Sequence, residues 1–246
     1  MRYLVFSSRN QKEIIRDPLN IMFGIGFPIV ILLIFSAIQR NIPENEVFII
    51  NNLAPGVAVF GLSFISLFSG ILVAKDRTSS FLMRLFASPL RASDYIIGYT
   101  LPLLPIAIVQ SIVCFVFSIF LGLPFNLNTL LTIVILIPTS VIFIGIGLLS
   151  GSLLNEKQVG GLCGALLTNI NAWLSGAWFE LKLIGGTYEK IAYLLPFAHA
   201  VDATRSVLAG DYKDILPHLW WVLGYALIIM VIAILVFNTK MKGKNI

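Results

Sequence analysis

Charge is scarce in this sequence: Asp, Glu, Lys and Arg make up 12% of its 246 residues, against 58% hydrophobic residues. A soluble domain carries about 25% charged residues. This chain therefore lacks the charge to clothe an ordinary cytosolic domain, and its apolar content excludes a disordered one. Histidine and cysteine are almost missing, with two of each. Cys114 and Cys163 show no metal-site spacing and fall inside apolar runs, where they read as small buried hydrophobes and not as a disulfide. No His-Glu-x-x-His occurs, no serine elbow has a histidine at membrane depth, and the one Gly-Lys pair, Gly243-Lys244, is followed by Asn245 where a phosphate-binding loop needs Ser or Thr. The chain is therefore expected not to be an enzyme and to hold no metal, nucleotide or other cofactor of its own.

What is there is a set of long charge-free runs: 18–39, 47–74, 95–155, 158–179 and 215–239. A bilayer core about 30 Å thick needs about 20 apolar helical residues. Four runs fit one span each. The third is long enough for two, broken at Gly122-Leu-Pro-Phe-Asn-Leu-Asn128. The expectation is an all-α integral membrane protein, a single domain over 1–246, with six transmembrane helices near 21–39, 53–74, 97–121, 130–150, 158–178 and 217–237. The first is read as a retained span and not as a cleaved signal.

An even number of spans puts both termini on one side. Twelve cations fall on the terminal side (Arg2, Arg9, Lys12, Arg16, Lys75, Arg77, Arg84, Arg91, Lys157, Lys240, Lys242, Lys244), and five on the other (Arg40, Lys182, Lys190, Arg205, Lys213). The positive-inside rule makes both termini cytoplasmic. The formal charge of +5 is then a topology signal. The cations are split among short membrane-flanking segments, so no nucleic-acid partner is expected. The charge-free runs also lack the mid-membrane carboxylate or base that ion-coupled transport uses, so any transport draws its energy from outside the chain.

Three segments between the runs carry pattern. The arm 1–18 mixes Leu4, Val5, Phe6, Ile14 and Ile15 with basic residues and ends at Asp17-Pro18, which reads as an amphipathic interfacial helix. In the loop 75–93, Phe81, Leu82, Leu85 and Phe86 recur at helical steps around Arg84, before Pro89. That short helix either docks a soluble partner or packs on its own bundle. Segment 181–216 holds apolar pieces too short to span, split at Pro196, and reads as a re-entrant hairpin on the outer side. Within the spans, Gly160, Gly164, Thr168, Asn171 and Ser175 share a helix face, and Ser63, Ser66 and Gly70 repeat the pattern in the second helix. Small residues at such spacing pack helices closely. They could equally line a polar seam between two chains, with Asn171 the most telling residue, because a buried amide needs a partner, and with Trp173 and Trp178 flanking its outer half.

The order of these features resembles the permease subunit of type-2 ATP-binding-cassette (ABC) exporters. The matching pieces are Arg9-Asn-Gln-Lys-Glu-Ile-Ile-Arg-Asp-Pro-Leu19 with Phe27-Pro28, then Ala87-Ser-Pro-Leu-Arg91 with Tyr95 and Gly98. They continue with Gly147-Leu-Leu-Ser-Gly-Ser-Leu-Leu-Asn-Glu-Lys-Gln158, Leu174-Ser-Gly176 and Leu195-Pro-Phe-Ala-His-Ala-Val-Asp-Ala-Thr-Arg205. Two places depart from the family pattern: Lys75-Asp76-Arg77 and Thr78-Ser79 stand where an acidic residue and Gly-Thr often open the coupling loop, and Trp178-Phe179-Glu180 stands where Phe-Pro often follows Ser-Gly.

The resemblance implies one half of an ATP-driven exporter in a plasma membrane, bacterial by expectation. Two such chains would pair, as a homodimer or with a sister permease, over separate ABC ATPase subunits that hold ATP and Mg. Phe81, Leu82, Arg84, Leu85 and Phe86 become the ATPase-coupling contacts. Ser63, Ser66, Gly70, Thr168, Asn171 and Ser175 become the substrate path, and Trp178, Phe179 and His199 the outer gate. The expected substrate is amphipathic, a drug or antimicrobial peptide ahead of a lipid. The competing expectation is a membrane-embedded immunity or receptor protein that binds a toxin without moving it.

Overall fold

A computed structural model describes residues 2–42, 48–79 and 92–242, and among these every regular element is helical. The first, α1 (Arg2–Arg16), buries Phe6, Asn10 and Ile14 at four-residue steps, while Leu4, Val5 and Ile15 stay exposed. It ends where the Asp17 carboxylate accepts from the backbone N–H of Leu19 at 3.0 Å, with Pro18 at the first position of α2 (Pro18–Asn41). There a fixed φ suits the helix start and no donor is lost. Within α2 the stretch Met22–Gly26 is wound as a π-helix.

The axis of the fold is α3 (Ile50–Thr78). Of its most apolar window 89% is buried, against 17% for α2 and for α10 (Tyr212–Lys242). Between them come α4 (Ala92–Thr100) and α5 (Leu103–Phe120), parted by a turn at Leu101 and Pro102, and α6 (Leu127–Leu153). Asn126 caps α6, its side-chain oxygen accepting from the N–H of Thr129 at 3.0 Å. A nineteen-residue helical run, α7 (156–174), follows; then come α8 (Gly186–Leu194), α9 (Pro196–Ala209) and α10.

The α3–α6 crossing is close because neither helix carries bulk there. A Cβ on Gly147 would collide with the Ser66 carbonyl and lie 2.6 Å from Ser69 Cβ; one on Gly151 would collide with the Gly70 carbonyl. Ser66 with Gly70, and Gly147 with Gly151, are small residues four apart on each helix. That spacing lets membrane helices approach until backbones touch. Ser69 Oγ adds a donor across the crossing, to Ile144 O at 3.2 Å.

Among the described residues, five helices are long and apolar enough to cross a membrane: Pro18–Asn41, Ile50–Thr78, Asp94–Phe120, Leu127–Leu153 and Tyr212–Thr239. The chain is an all-α, multi-spanning membrane protein. The expected count of six is corrected to five, because the span placed at 158–178 is not among them. Its helix ends at Leu174, and Gln158, three glycines, Thr168, Asn169 and Asn171 dilute its apolarity. The re-entrant hairpin expected over 181–216 is not identified either. That segment folds as a short 3-10 turn (Leu181–Leu183), α8 and α9. Helix α9 buries most of its length against α10, α6 and α3, which accounts for its apolar spacing without a half-span in lipid.

Candidate functional site

Three clusters of polar side chains stand on this frame. At one end of α3, Asp76 is 1% exposed. Its Oδ2 accepts from Arg9 Nη1 at 2.7 Å and from Tyr99 Oη at 2.9 Å. Arg9 also pairs with Glu13 at 2.6 Å, one turn along α1, and Glu13 pairs with Lys75 at 2.7 Å. Asn10 Nδ2 donates to Gly98 O at 2.9 Å. Phe6 packs edge-on against Tyr99, with centroids 4.9 Å apart, over Gly98, where a Cβ would strike its ring. The result fastens α1 to α3 and α4, the two helices that bracket residues 80–91. Beside it the Arg77 guanidinium donates to Ser152 O and, at 2.7 Å, to Leu154 O, satisfying carbonyls at the end of α6.

At the other end, Arg205 of α9 donates to Asn52 O through Nε at 3.2 Å and Nη2 at 3.1 Å, and to Gly176 O at 2.8 Å. It thereby ties α9 to the start of α3 and to the bend after α7, where Gly176 has φ +73. Asp202 lies 3.8 Å from Arg205 and accepts from Tyr193 Oη at 2.7 Å. His199 Nε2 lies 2.9 Å from Tyr193 O, and its Nδ1 lies 2.8 Å from His218 Nδ1. A carbonyl only accepts, so His199 carries its proton on Nε2. Its bare Nδ1 then accepts from His218. Trp221 stacks on the His199 ring, with centroids 5.1 Å apart and an interplanar angle of 3°. Burial holds the His199 imidazolium below its ordinary range, and burial together with the Asp202 charge pushes the Tyr193 phenol up. Burial also lowers Arg205, partly offset by Asp202.

Between the two ends runs the seam of α3 and α7. Asn171 is fully buried, and its Nδ2 donates to Val59 O of α3 at 3.1 Å. Its Oδ1 has no partner, nor has the buried Ser175 hydroxyl. The six expected path residues, Ser63, Ser66, Gly70, Thr168, Asn171 and Ser175, are all buried within one chain. Ser66 and Gly70 meet α6, and a Cβ on Gly70 would lie 2.7 Å from Val159 of α7. The face of α7 is not the one a 3.6-residue period draws. Gly160–Leu167 is π-helical, and the buried positions run Val159, Cys163, Thr168, Asn171, Ser175. The step of five inside the π stretch shifts the phase, so a Cβ on Gly160 would meet nothing within 4 Å.

The three expected gate residues do not come together. Trp178 stacks on Phe35 and meets Phe60 edge-on, Phe179 lies by Trp173 and Tyr188, and His199 belongs to the Arg205 end. The expected coupling residues Phe81, Leu82, Arg84, Leu85 and Phe86 lie outside the described residues. Cys114 and Cys163 are buried and free, and the described residues contain no group of three His, Cys, Asp or Glu placed to hold a metal. Sequence reading missed Asp76, Arg9, Tyr99 and Arg205 as partners. The available signal was a lone acid between Lys75 and Arg77, and an arginine in a cation-poor segment.

Residues 1–209 match the family described as "ABC-2 type transporter". Over 201 residues the chain is 26% identical to the ABC transporter G family member 20 of Dictyostelium discoideum. That stretch is 79% of this chain and 27% of the relative, so the chain spans about a quarter of that protein's length.

Proposed function

This chain belongs to the ABC-2 type transporter family, and on that footing we propose that it is the membrane-spanning permease of an ATP-driven exporter. Two permease chains, identical or sister, work over separate ATPase subunits that bind ATP and Mg, in a plasma membrane with both termini cytoplasmic. The cargo is an amphipathic molecule, a drug or antimicrobial peptide ahead of a lipid. Phe81, Leu82, Arg84, Leu85 and Phe86 form the ATPase contact.

The observation that carries this reading is the Arg9–Asp76–Tyr99 junction. The helices on either side of residues 80–91 are joined to each other and to α1 through one buried carboxylate. A soluble motor acting on residues 80–91 thus acts on a unit in which α3, the most buried helix, is tied to α4 and α1. The α3–α7 seam supports a path on separate grounds. Asn171 Oδ1 and Ser175 Oγ are polar atoms left unpartnered at its closed surface, and an unpartnered buried polar atom costs about 1–3 kcal/mol. Parting the seam would free both for cargo or water.

The test combines Leu85→Ala with Phe86→Ala. Buried anchors commonly cost more than about 2 kcal/mol on truncation. The double variant should insert normally, lose ATPase co-purification and lose ATP-driven uptake of cargo into inside-out vesicles, the vesicle counterpart of efflux. Wild-type efflux in that variant sinks the coupling assignment. Toxin binding with no ATP-dependent efflux in the wild type favours the immunity or receptor reading instead.

A further inference from the structure

Helix α1 carries three strips, each at helical spacing. Phe6, Asn10 and Ile14 are buried, on a helix that packs against α4 and α3. Leu4 and Ile15, about three turns apart on one face, form a second strip and are exposed. Val5, Arg9, Lys12 and Arg16, at steps of 4, 3 and 4, form the third. The basic strip therefore runs alongside the exposed apolar one. That is the arrangement of a helix lying at a lipid surface, with its cations at headgroup height.

The basic strip and Lys75 of α3 line an open groove of about 970 Å³. Four cations, Arg9, Lys12, Arg16 and Lys75, stand there against two acids, Glu13 and Asp17. Both acids are already engaged. Glu13 pairs with Arg9 at 2.6 Å and with Lys75 at 2.7 Å, and Asp17 accepts from the Leu19 N–H at 3.0 Å. Arg9 pairs further with Asp76 at 2.7 Å. Lys12 and Arg16 are left over: both are exposed, and neither pairs with a described side chain. They stand one turn apart, where like charges repel and weaken a helix. An anion between them turns that repulsion into attraction. About 6 Å of helix rise separates them, a gap that two long side chains close onto the oxygens of one phosphate.

We infer that this groove binds an anionic phospholipid, its phosphate bridged by Lys12 and Arg16 and its acyl chains running past Leu4 and Ile15. The neighbouring apolar strip favours a lipid over a free phosphate, which has no use for it, and Leu4 and Val5 line the groove itself. The surplus of positive charge disfavours phosphatidylcholine, whose own cation the unpaired Lys12 and Arg16 would repel. No residue of the proposed ATPase contact takes part, so the site stands or falls apart from the coupling assignment.

The experiment titrates the full chain, in mild detergent, with phosphatidylglycerol, phosphatidylcholine or glycerol 3-phosphate, and counts retained molecules by native mass spectrometry. Saturable retention of phosphatidylglycerol is expected at concentrations where the other two are lost. A basic residue near an anionic surface is worth about fivefold in affinity, so Lys12→Gln with Arg16→Gln should weaken retention roughly twentyfold. Lys12→Arg with Arg16→Lys keeps both charges and should keep the lipid. Lys182→Gln with Lys190→Gln removes two exposed cations outside the groove and should leave retention unchanged. Thermal midpoints without lipid should match across the set, since every substitution is at the surface.

Equal retention of phosphatidylcholine, or an equal loss in the Lys182 and Lys190 variant, means unspecific adhesion and overturns the site. Glycerol 3-phosphate held as tightly as the lipid makes this a phosphate site and overturns the lipid. Unchanged retention in the Lys12→Gln, Arg16→Gln variant also overturns the proposal. Should that variant lose ATPase co-purification instead, the strip faces a protein.

Discussion

The two ends of α3 solve the same problem with opposite hubs. Asp76 near its C-terminal end is a buried acid that draws in charged and phenolic side chains, Arg9 and Tyr99, from other helices. Arg205 at the N-terminal end of α3 is a largely buried base that donates chiefly to backbone carbonyls, of Asn52 and Gly176. A carboxylate cannot bond a carbonyl; within a helical bundle most backbone N–H groups are already spent, so Asp76 takes its donors from side chains, and its removal takes one of two acidic partners from Arg9. A guanidinium can be satisfied by the carbonyls that chain bends leave open. The acid end therefore depends on distant residues chosen together, and the base end on local backbone shape.

That difference is most severely tested by Asp76→Ala. Breaking a buried pair from one side costs about 3–5 kcal/mol where both charges are buried. Arg9 is partly exposed, so about 2–3 kcal/mol is expected, seen as a lower thermal midpoint in detergent and faster proteolysis of α1. Asp76→Asn should cost less, since an amide still accepts from Tyr99. Equal losses for both would mean that charge alone holds this end.

Arg205→Ala should cost about 2 kcal/mol, because its carbonyl partners can take up water at that end of the bundle. Arg205→Lys should recover little, as an ammonium cannot span Asn52 and Gly176 as a fork does. Full recovery by lysine would make this end a matter of charge and erase the contrast.

Acidity should separate the ends more gently. His199 titrates below its ordinary 6.5 because it is buried, with His218 opposing its charge and Tyr193 O and Asp202 favouring it. The unfolded chain takes up the proton first as pH falls. The stability of the Arg205 end is therefore full above about 6.5 and is lost progressively below it. Thermal midpoints between pH 7.5 and 5 should fall in the wild type and flatten in His199→Gln. The Asp76 end, which holds no histidine, should stay protease-resistant over that window. The smallest effect belongs to Glu13→Gln. Its pairs with Arg9 and Lys75 face solvent, and a loss below about 1 kcal/mol, vanishing in high salt, is expected in thermal melts.

Much of this fold was legible as missing charge. The runs before Arg40, Lys75 and Lys240 are α2, α3 and α10, and the break at Gly122–Asn128 separates α5 from α6. Asp17-Pro18 marked the α1–α2 junction, where the cap now stands. Helix α7 was misread because charge-free is not the same as apolar: its glycines and amides keep charge out yet serve close packing, and its π stretch breaks the 3.6-residue phase used to draw its face. The Asp76 hub was hidden for another reason. Its partner Arg9 is 67 residues away, and a topology argument counts each cation singly without asking what it touches. The α3 side of the α3–α6 crossing was visible as Ser66 and Gly70. The matching Gly147 and Gly151 entered only as part of the family resemblance, not as a packing face.

The serines of α3 bear on the order in which the chain is made. Ser63 Oγ donates to Phe60 O at 2.5 Å and Ser66 Oγ to Ser63 O at 2.6 Å, both inside their own helix. Helix α3 leaves the ribosome long before α6, the partner against which it is finally pressed. During that wait it sits in lipid, where a dangling hydroxyl would be penalised. By returning two of its hydroxyls to its own backbone, α3 enters the bilayer already self-sufficient. Only Ser69, bonded to Ile144 O in the finished protein, must exchange a temporary partner when α6 arrives. The helix destined for the centre of the bundle is thus also built to survive a period alone.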